Sequence, residues 1–321
     1  MVALSAAHGF AQISRGVPQA VVVHVECGTQ SLAGAIHNAA KGRIPVFIFA
    51  GASPATLEGG ARGSRNEFIH WMQDVFDQRG IVRGYMRYDN EIRVGASVKQ
   101  IVHRALQFAY SDPKGPVYLD GGARGDGTAD PAGEDRSIAE VAAHITRGLA
   151  SRRRRDSCAR SWRSANVHSS SLPTSGATMP AVSELVRLCA AHRRWRRSES
   201  VPNYCNFPSD DPLYQGSQWN EARQNIPRSL AADTILVIDS DVPWIPQINK
   251  PAAGARIIHI DIDPLKQQMP LWYIGARHIF RADAATALRQ INERLDGIDA
   301  GCARAFASGR ATTRSNMRER Q

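Results

Sequence analysis

The chain reads as an α/β protein with parallel sheets, and three observations carry that reading. The runs PQAVVVHV (18–25), IPVFIFAG (44–51), TILVID (234–239) and ARIIHIDID (255–263) are nearly continuous apolar segments, the texture of strands covered on both faces. Helical periodicity falls between such runs, most clearly from Val98 to Tyr110. With 321 residues, 43% of them hydrophobic and 22% charged, the chain is long enough for two domains that each bury a core.

In chain order, Met1 to Ser14 predicts a helix with Val2, Leu4, Ala6, Ala7, Phe10 and Ala11 available for a buried face, ended by Gly16 and Pro18. The first strand follows, then a glycine loop from Glu26 to Ser31, a helix, and the second strand. Ligands of open α/β sheets sit beyond the carboxyl ends of the strands, so Glu26–Ser31 and Gly51–Pro54 are the first places expected to carry chemistry. Gly51 to Asn66 reads as a loop. Glu67 to Gln78 predicts a helix whose stripe of Phe68, Trp71, Met72, Val75 and Phe76 is core. Val82 to Tyr88 predicts a strand, Val98 to Tyr110 an amphipathic helix, and PVYLD (116–120) the closing strand.

After Asp120 the texture changes. Gly121 to Ser171 is heavy in Gly, Ala, Arg, Ser and Asp, and only IAEVAAHITRGLA (138–150) has a helical pattern. Order returns with a helix in PAVSELVRLCAAH (180–192), a loop over residues 201–216, and the two buried strands named above. The expected division is a first domain over 1–121, an Arg/Ser/Gly-rich linker over 122–171, a second domain over 172–297 and a tail over 298–321.

The formal charge of +10 would suit an anionic partner, but its location argues otherwise. Between Arg147 and Arg197 stand 12 arginines, no lysine, and only Asp156 and Glu184 as acids, so this window supplies the whole excess. It lacks helical or strand periodicity, and a solvated segment is expected there rather than a nucleic-acid face. The five cysteines, Cys27, Cys158, Cys189, Cys205 and Cys302, show no metal-ligand spacing, nor do His24, His37 and His70, so free thiols and structural histidines are expected. No stretch has the apolar length that spans a bilayer, and residues 1–12 lack the pattern of a signal peptide, which makes the cytoplasm the default.

Three segments carry a family resemblance. VVVHVECGTQSLAGAIHNAAKGRIPVFIFAG, HWMQDVFDQRGIVRGYMRY and SVKQIVHRALQFAYSDPKGPVYLD, in that order, resemble the N-terminal pyrimidine-binding domain of thiamin-diphosphate-dependent enzymes, in particular the acetolactate synthase-like group, and HIDIDP (259–264) resembles their central domain. The resemblance implies a truncated parallel-sheet pyrimidine-binding domain followed by a Rossmann-like central domain. It implies thiamin diphosphate as cofactor, a small 2-keto acid as substrate, and decarboxylation with carboligation as the reaction.

Carried over by position, Gly28 matches a glycine of the pyrimidine-side loop, Thr29 and Gln30 follow it, and Ser31 stands where the family has asparagine. Cys27 replaces a common proline, and Gln73 matches a glutamine near the cofactor. Gly28 serves either the ligand or a turn of positive φ; Gln73 is either a ligand contact or a solvent-facing amide. The family's catalytic glutamate, which favours the reactive tautomer of the aminopyrimidine, would precede Met1, so the chain alone is expected to be inactive and no catalytic residue is assigned.

The family binds Mg²⁺ and diphosphate in a third domain. Gly125-Asp126-Gly127 looks like the start of that motif, but the four arginines of SRRRRD (151–156) follow where oxygen ligands are needed, so no Mg²⁺ site is expected in this chain. Asp239, Ser240 and Asp241 stand where a pyrophosphate-binding turn for FAD would lie, and their carboxylates argue against FAD. Asp261 and Asp263 alternate with Ile260 and Ile262, the pattern of polar caps at a strand end. The resemblance further implies a homo-oligomer, or an intact homologue that supplies the diphosphate domain. A non-catalytic interaction protein is the alternative, and nucleic-acid binding through the arginine window a third.

Overall fold

A computed structural model describes residues 1–14, 16–53, 68–122, 148–149, 179–190, 197–200, 206–218, 232–248, 250–271 and 274–297. The expected 51–66 loop beyond Ser53, the 138–150 helix apart from residues 148–149, Gly125–Gly127, the tail and most of the arginine window lie outside these residues, and Gly51 and Ala52 end a strand rather than begin a loop. The chain forms two compact units, one of residues 1–145, 173–176 and 266–271, the other of 146–172, 177–265 and 272–321.

The first unit is built on a four-stranded parallel sheet in the order β1-β2-β4-β3, with β1 Gln19–Val23, β2 Val46–Ala52, β3 Tyr88–Glu91 and β4 Val117–Gly122. One face carries Val46, Ile48, Ala50 and Tyr118 and packs on helix α1, Val2–Ile13, and helix α3, Ala33–Lys41, through Leu4, Ala7, Ala11, Ile36 and Ala39. The other carries Phe47, Phe49, Val117 and Leu119 and is covered by α5, Val98–Tyr110, whose Ala105 and Ala109 let the helix approach closely. Side chains alternate across a strand, so one apolar run serves both layers.

Several expectations need correction. Val22 is 73% exposed, because β1 is the edge of the sheet and only its Val21 side reaches the core. On α1 the buried face narrows to Leu4, Ala7 and Ala11, leaving Val2 and Phe10 exposed. The predicted strand over 82–88 is two 3₁₀ turns, Arg79–Ile81 and Arg83–Tyr85, and pairing begins only at Tyr88. The predicted 67–78 helix is the shorter α4, Phe68–Gln73, and its stripe is not core: Phe68, Trp71, Met72, Val75 and Phe76 are all exposed. Periodicity reports that a helix has an apolar face, not that this chain covers it.

The second unit holds a three-stranded parallel sheet, β7 Thr234–Ile238, β8 Arg256–Asp261 and β9 His278–Arg281, in the order β7-β8-β9. The uninterrupted apolar runs of β7 and β8 are buried on both faces. One side packs on the Met179–Ala190 helix and a helix over 284–297 through Leu185, Leu188, Leu236, Ile258, Leu288 and Ile291; the other packs on Trp244 and Ile274. Part of the arginine window is therefore a packed helix. A two-stranded parallel sheet pairs β5, Arg197–Ser200, with β6, Tyr214–Gln218, in a segment whose composition predicts a loop. There the pairing is helped by the Glu199 carboxylate, which accepts the Asn206 N–H and the Tyr214 hydroxyl.

Candidate functional site

The site expected from the sequence lies at the carboxyl ends of the first unit's strands. The chain leaves β1 through His24 and turns at once into α2, Val25–Gln30, so the expected glycine loop is a short helix. The turn is made by Val25 at φ 40, a left-handed conformation that a β-branched residue rarely adopts. Gly28 is not the positive-φ residue. A Cβ there would stand 2.8 Å from the Val23 Cβ and 3.2 Å from the Val23 carbonyl carbon, so glycine is needed for the close approach of α2 to the end of β1.

Thr29 is fully buried, whereas Gln30 and Ser31 are exposed and the Ser31 hydroxyl donates to the Gly28 carbonyl. Gln73 is half-buried on α4, which lies beside α2. The structure thus brings the helices of Gly28–Ser31 and Gln73 together. Glu26 is 7% exposed; its Oε1 accepts the Cys27 thiol at 3.1 Å, and its buried Oε2 has no hydrogen-bond partner among the described residues. That bond, ahead of desolvation, raises the thiol pKa.

Residues that the sequence reading did not single out tie this edge together. Thr29 donates its single hydroxyl proton to the Val25 carbonyl at 2.8 Å, so at its 2.8 Å contact with Tyr118 the threonine oxygen accepts and the phenol donates. The phenol oxygen accepts from the Gln78 amide at 3.0 Å, and the same amide nitrogen donates to the Gly51 carbonyl at 2.8 Å. One directed chain therefore runs from Gln78 through Tyr118 and Thr29 to Val25, linking the ends of β2 and β4 to α2. Burial, partly offset by these bonds, raises the Tyr118 pKa and keeps the phenol protonated. Its sequence signal was the lone polar tip within PVYLD.

On the same face of β4, Asp120 is 6% exposed, and its Oδ1 has no hydrogen bond among the described residues, with Arg79 Nε 3.6 Å away. Burial pushes its pKa up to about 6; Arg79 opposes the shift, and Glu91 and Asp89 add to it. Arg79 also stands 3.6 Å from Asp89. Arg83 meets Asp77 through two short hydrogen bonds, which hold the Asp77 pKa below the usual carboxylate range.

In the second unit the polar residues at the carboxyl edge are structural. Asp239, at φ 44, accepts the Ile262 N–H, and Asp261 accepts the Asp263 N–H while its other oxygen lies 3.3 Å from His259 Nε2. The Asp261–Asp263 bond is a strand-end cap of the kind the alternation of Asp261 and Asp263 with isoleucines predicts. A cleft of about 510 Å³ opens at the opposite, amino edge of this sheet, lined by Asp233, Thr234, Arg256 and Arg277 among others. Among the described residues no group of three His, Cys, Asp or Glu side chains is placed to hold a metal, and no helix is long and apolar enough to cross a membrane.

The first unit is thus a parallel α/β domain with a helix, a polar network and buried carboxylates at the carboxyl ends of its strands. Residues 1–81 match the family profile described as thiamine pyrophosphate enzyme, N-terminal TPP binding domain. Among solved structures the chain is similar to a Mycobacterium smegmatis protein described as thiamin diphosphate-dependent (21% identity, TM-score 0.69, 91% of this chain and 53% of that one). It is similar also to benzoylformate decarboxylase from Polynucleobacter necessarius (17%, TM-score 0.73, 90% and 52%). A third likeness is to the thiamine diphosphate-dependent 4-hydroxybenzoylformate decarboxylase of Rhodococcus jostii RHA1 (19%, TM-score 0.66, 91% and 53%). At these identities the likeness is one of fold, and the chain spans about half the length of the structures it matches.

Proposed function

We propose that the first unit supplies the pyrimidine side of a thiamin diphosphate site, in a protein that decarboxylates a small 2-keto acid and transfers the remaining fragment in acetolactate synthase-like fashion. The observation that carries this reading is α2, which holds Gly28, Thr29, Gln30 and its C-cap Ser31 at the carboxyl end of β1 inside the segment that matches the cofactor-binding family. The residues present suit a neutral hydrogen-bonding ring. Among the described residues Glu26 Oε2 is an acceptor without a donor, α4 brings Gln73 beside α2, and Glu26, Glu91 and Asp120 at the strand ends would repel a diphosphate. The diphosphate and its cation are therefore assigned to a partner that carries a diphosphate-binding domain, an intact homologue, and FAD is left out of the proposal. Bound thiamin diphosphate would supply the nucleophilic carbon and electron sink that 2-keto acid cleavage needs.

The chain's own contribution is to orient the ring. The chain from Gln78 to Val25 fixes α2, and close packing at Gly28 fixes its distance from β1. Titration calorimetry on the full chain tests this reading: thiamin and thiamin diphosphate should bind with affinities within about threefold of each other, roughly the worth of half a hydrogen bond. Pyruvate with thiamin diphosphate and Mg²⁺ should give no turnover. Absence of saturable binding by either compound, or turnover by the chain alone, would overturn the half-site reading. The exposed Phe68–Phe76 stripe supports a second reading, a non-catalytic interaction protein. That reading predicts association without thiamin binding.

A further inference from the structure

A valine at φ 40 is held, not relaxed. Left-handed non-glycine conformations are strained and persist where the surroundings over-determine them. Val25 sits between an edge strand and a six-residue helix, neither of which is by itself a stiff frame. Its carbonyl takes the Thr29 hydroxyl proton, and the Thr29 oxygen is in turn held by a phenol that is fully buried in the sheet's core layer. We propose that Tyr118 is a positioning residue: its hydroxyl proton locks the Thr29 rotamer that holds the Val25 turn, and so sets the orientation of Gly28–Ser31. The ligand part of this inference rests on the thiamin reading above; the hold on the turn does not.

The geometry explains why a tyrosine is needed. The phenol crosses from β4 over β2 to α2, since Tyr118 pairs in register with Ile48 while Thr29 belongs to the helix after β1. Gln78 completes the arrangement by donating to both the phenol oxygen and the Gly51 carbonyl, which fixes the phenol against the end of β2. Without the phenol proton, the buried Thr29 oxygen loses its donor and the hydroxyl is free to rotate away from Val25. Leaving one buried partner unsatisfied is a penalty of the same order as the strain it restrains.

The experiment is hydrogen–deuterium exchange on the full chain. In Tyr118→Phe, which keeps the packed ring, amides 25–31 should exchange about tenfold faster or more while those of β2 and β4 keep their rates. In a Val25→Gly background, where the turn needs no restraint, the same substitution should change amides 25–31 less than about threefold. Thr29→Val removes the hydroxyl at nearly constant shape and should reproduce the local pattern, so the proposal stays testable if Tyr118→Phe fails to fold. Unchanged exchange at 25–31, an equal rise across the sheet, or the same increment in both backgrounds would overturn the hold.

Thiamin titration separates the two layers. Should the unaltered chain bind thiamin and Tyr118→Phe bind it equally well despite loosened 25–31 amides, the positioning role is overturned. Should the unaltered chain bind no thiamin while the exchange pattern appears as described, the cofactor reading fails and the hold on Val25 stands.

Discussion

Asp120 shows how burial and pairing compete at one residue. Its carboxyl is shifted up to about 6, so desolvation outweighs the attraction of Arg79 at 3.6 Å. An unfolded aspartate titrates near about 3.9. Between that value and about 6 the folded chain keeps a proton that the unfolded chain has released, so this group's contribution is most favourable at low pH and is lost as pH rises to about 6. Asp120→Asn should therefore melt higher than the unaltered chain, by roughly a few degrees above pH 6, with the difference shrinking toward pH 4. Thermal melts across pH 4–8 check it; a constant difference, or a variant less stable at pH 8, would show that the Arg79 pairing dominates. None of this was legible in the sequence, where PVYLD ends in an ordinary aspartate. Gly28 was legible as serving either a ligand or a turn of positive φ, and the turn alternative fails: a missing Cβ against Val23 cannot be told from positive φ in a one-letter string. The positive φ that this alternative placed at Gly28 stands three residues earlier, at Val25.

Elements were legible where period and burial coincide. α5 spans Val98–Tyr110 as its spacing predicts, because its two buried alanines and the partly buried apolar residues around them lie along one face over β3 and β4. Ala109 is fully buried against that sheet, so Ala109→Leu should destabilise the chain by about 1–3 kcal/mol through overpacking, measured by urea unfolding. A cost below about 0.5 kcal/mol would mean that α5 can lift from the sheet without loss. Legibility failed at residues 78–85, where side-chain partners override local propensity. Gln78 is drawn to Gly51 and Tyr118, and Arg79 to Asp89 and Asp120, so the backbone takes 3₁₀ turns where apolar content suggests a strand. β5 and β6 were missed for a related reason, since their pairing leans on the Glu199 carboxylate rather than on an apolar run.

At the scale of the whole molecule, the parallel α/β architecture was legible because β7, β8 and most of the first sheet carry unbroken apolar runs that need two covering layers. What a stripe faces was not legible. Phe68 is 76% exposed, Trp71 55%, Met72 78% and Phe76 fully, next to the α2 site. Four large apolar side chains so exposed within one short segment form the kind of patch that drives association. The expected partner in a pure preparation is a second copy of this chain. The free chain should therefore sediment as a concentration-dependent oligomer at tens of micromolar, and Met72→Gln with Phe76→Ser should shift it toward monomer. The same double substitution should change unfolding stability by no more than about 0.5 kcal/mol, because neither side chain contributes to the core. Sedimentation velocity on both proteins decides: a monodisperse monomer for the unaltered chain, or an oligomer indifferent to the substitutions, would show that self-association does not run through this stripe.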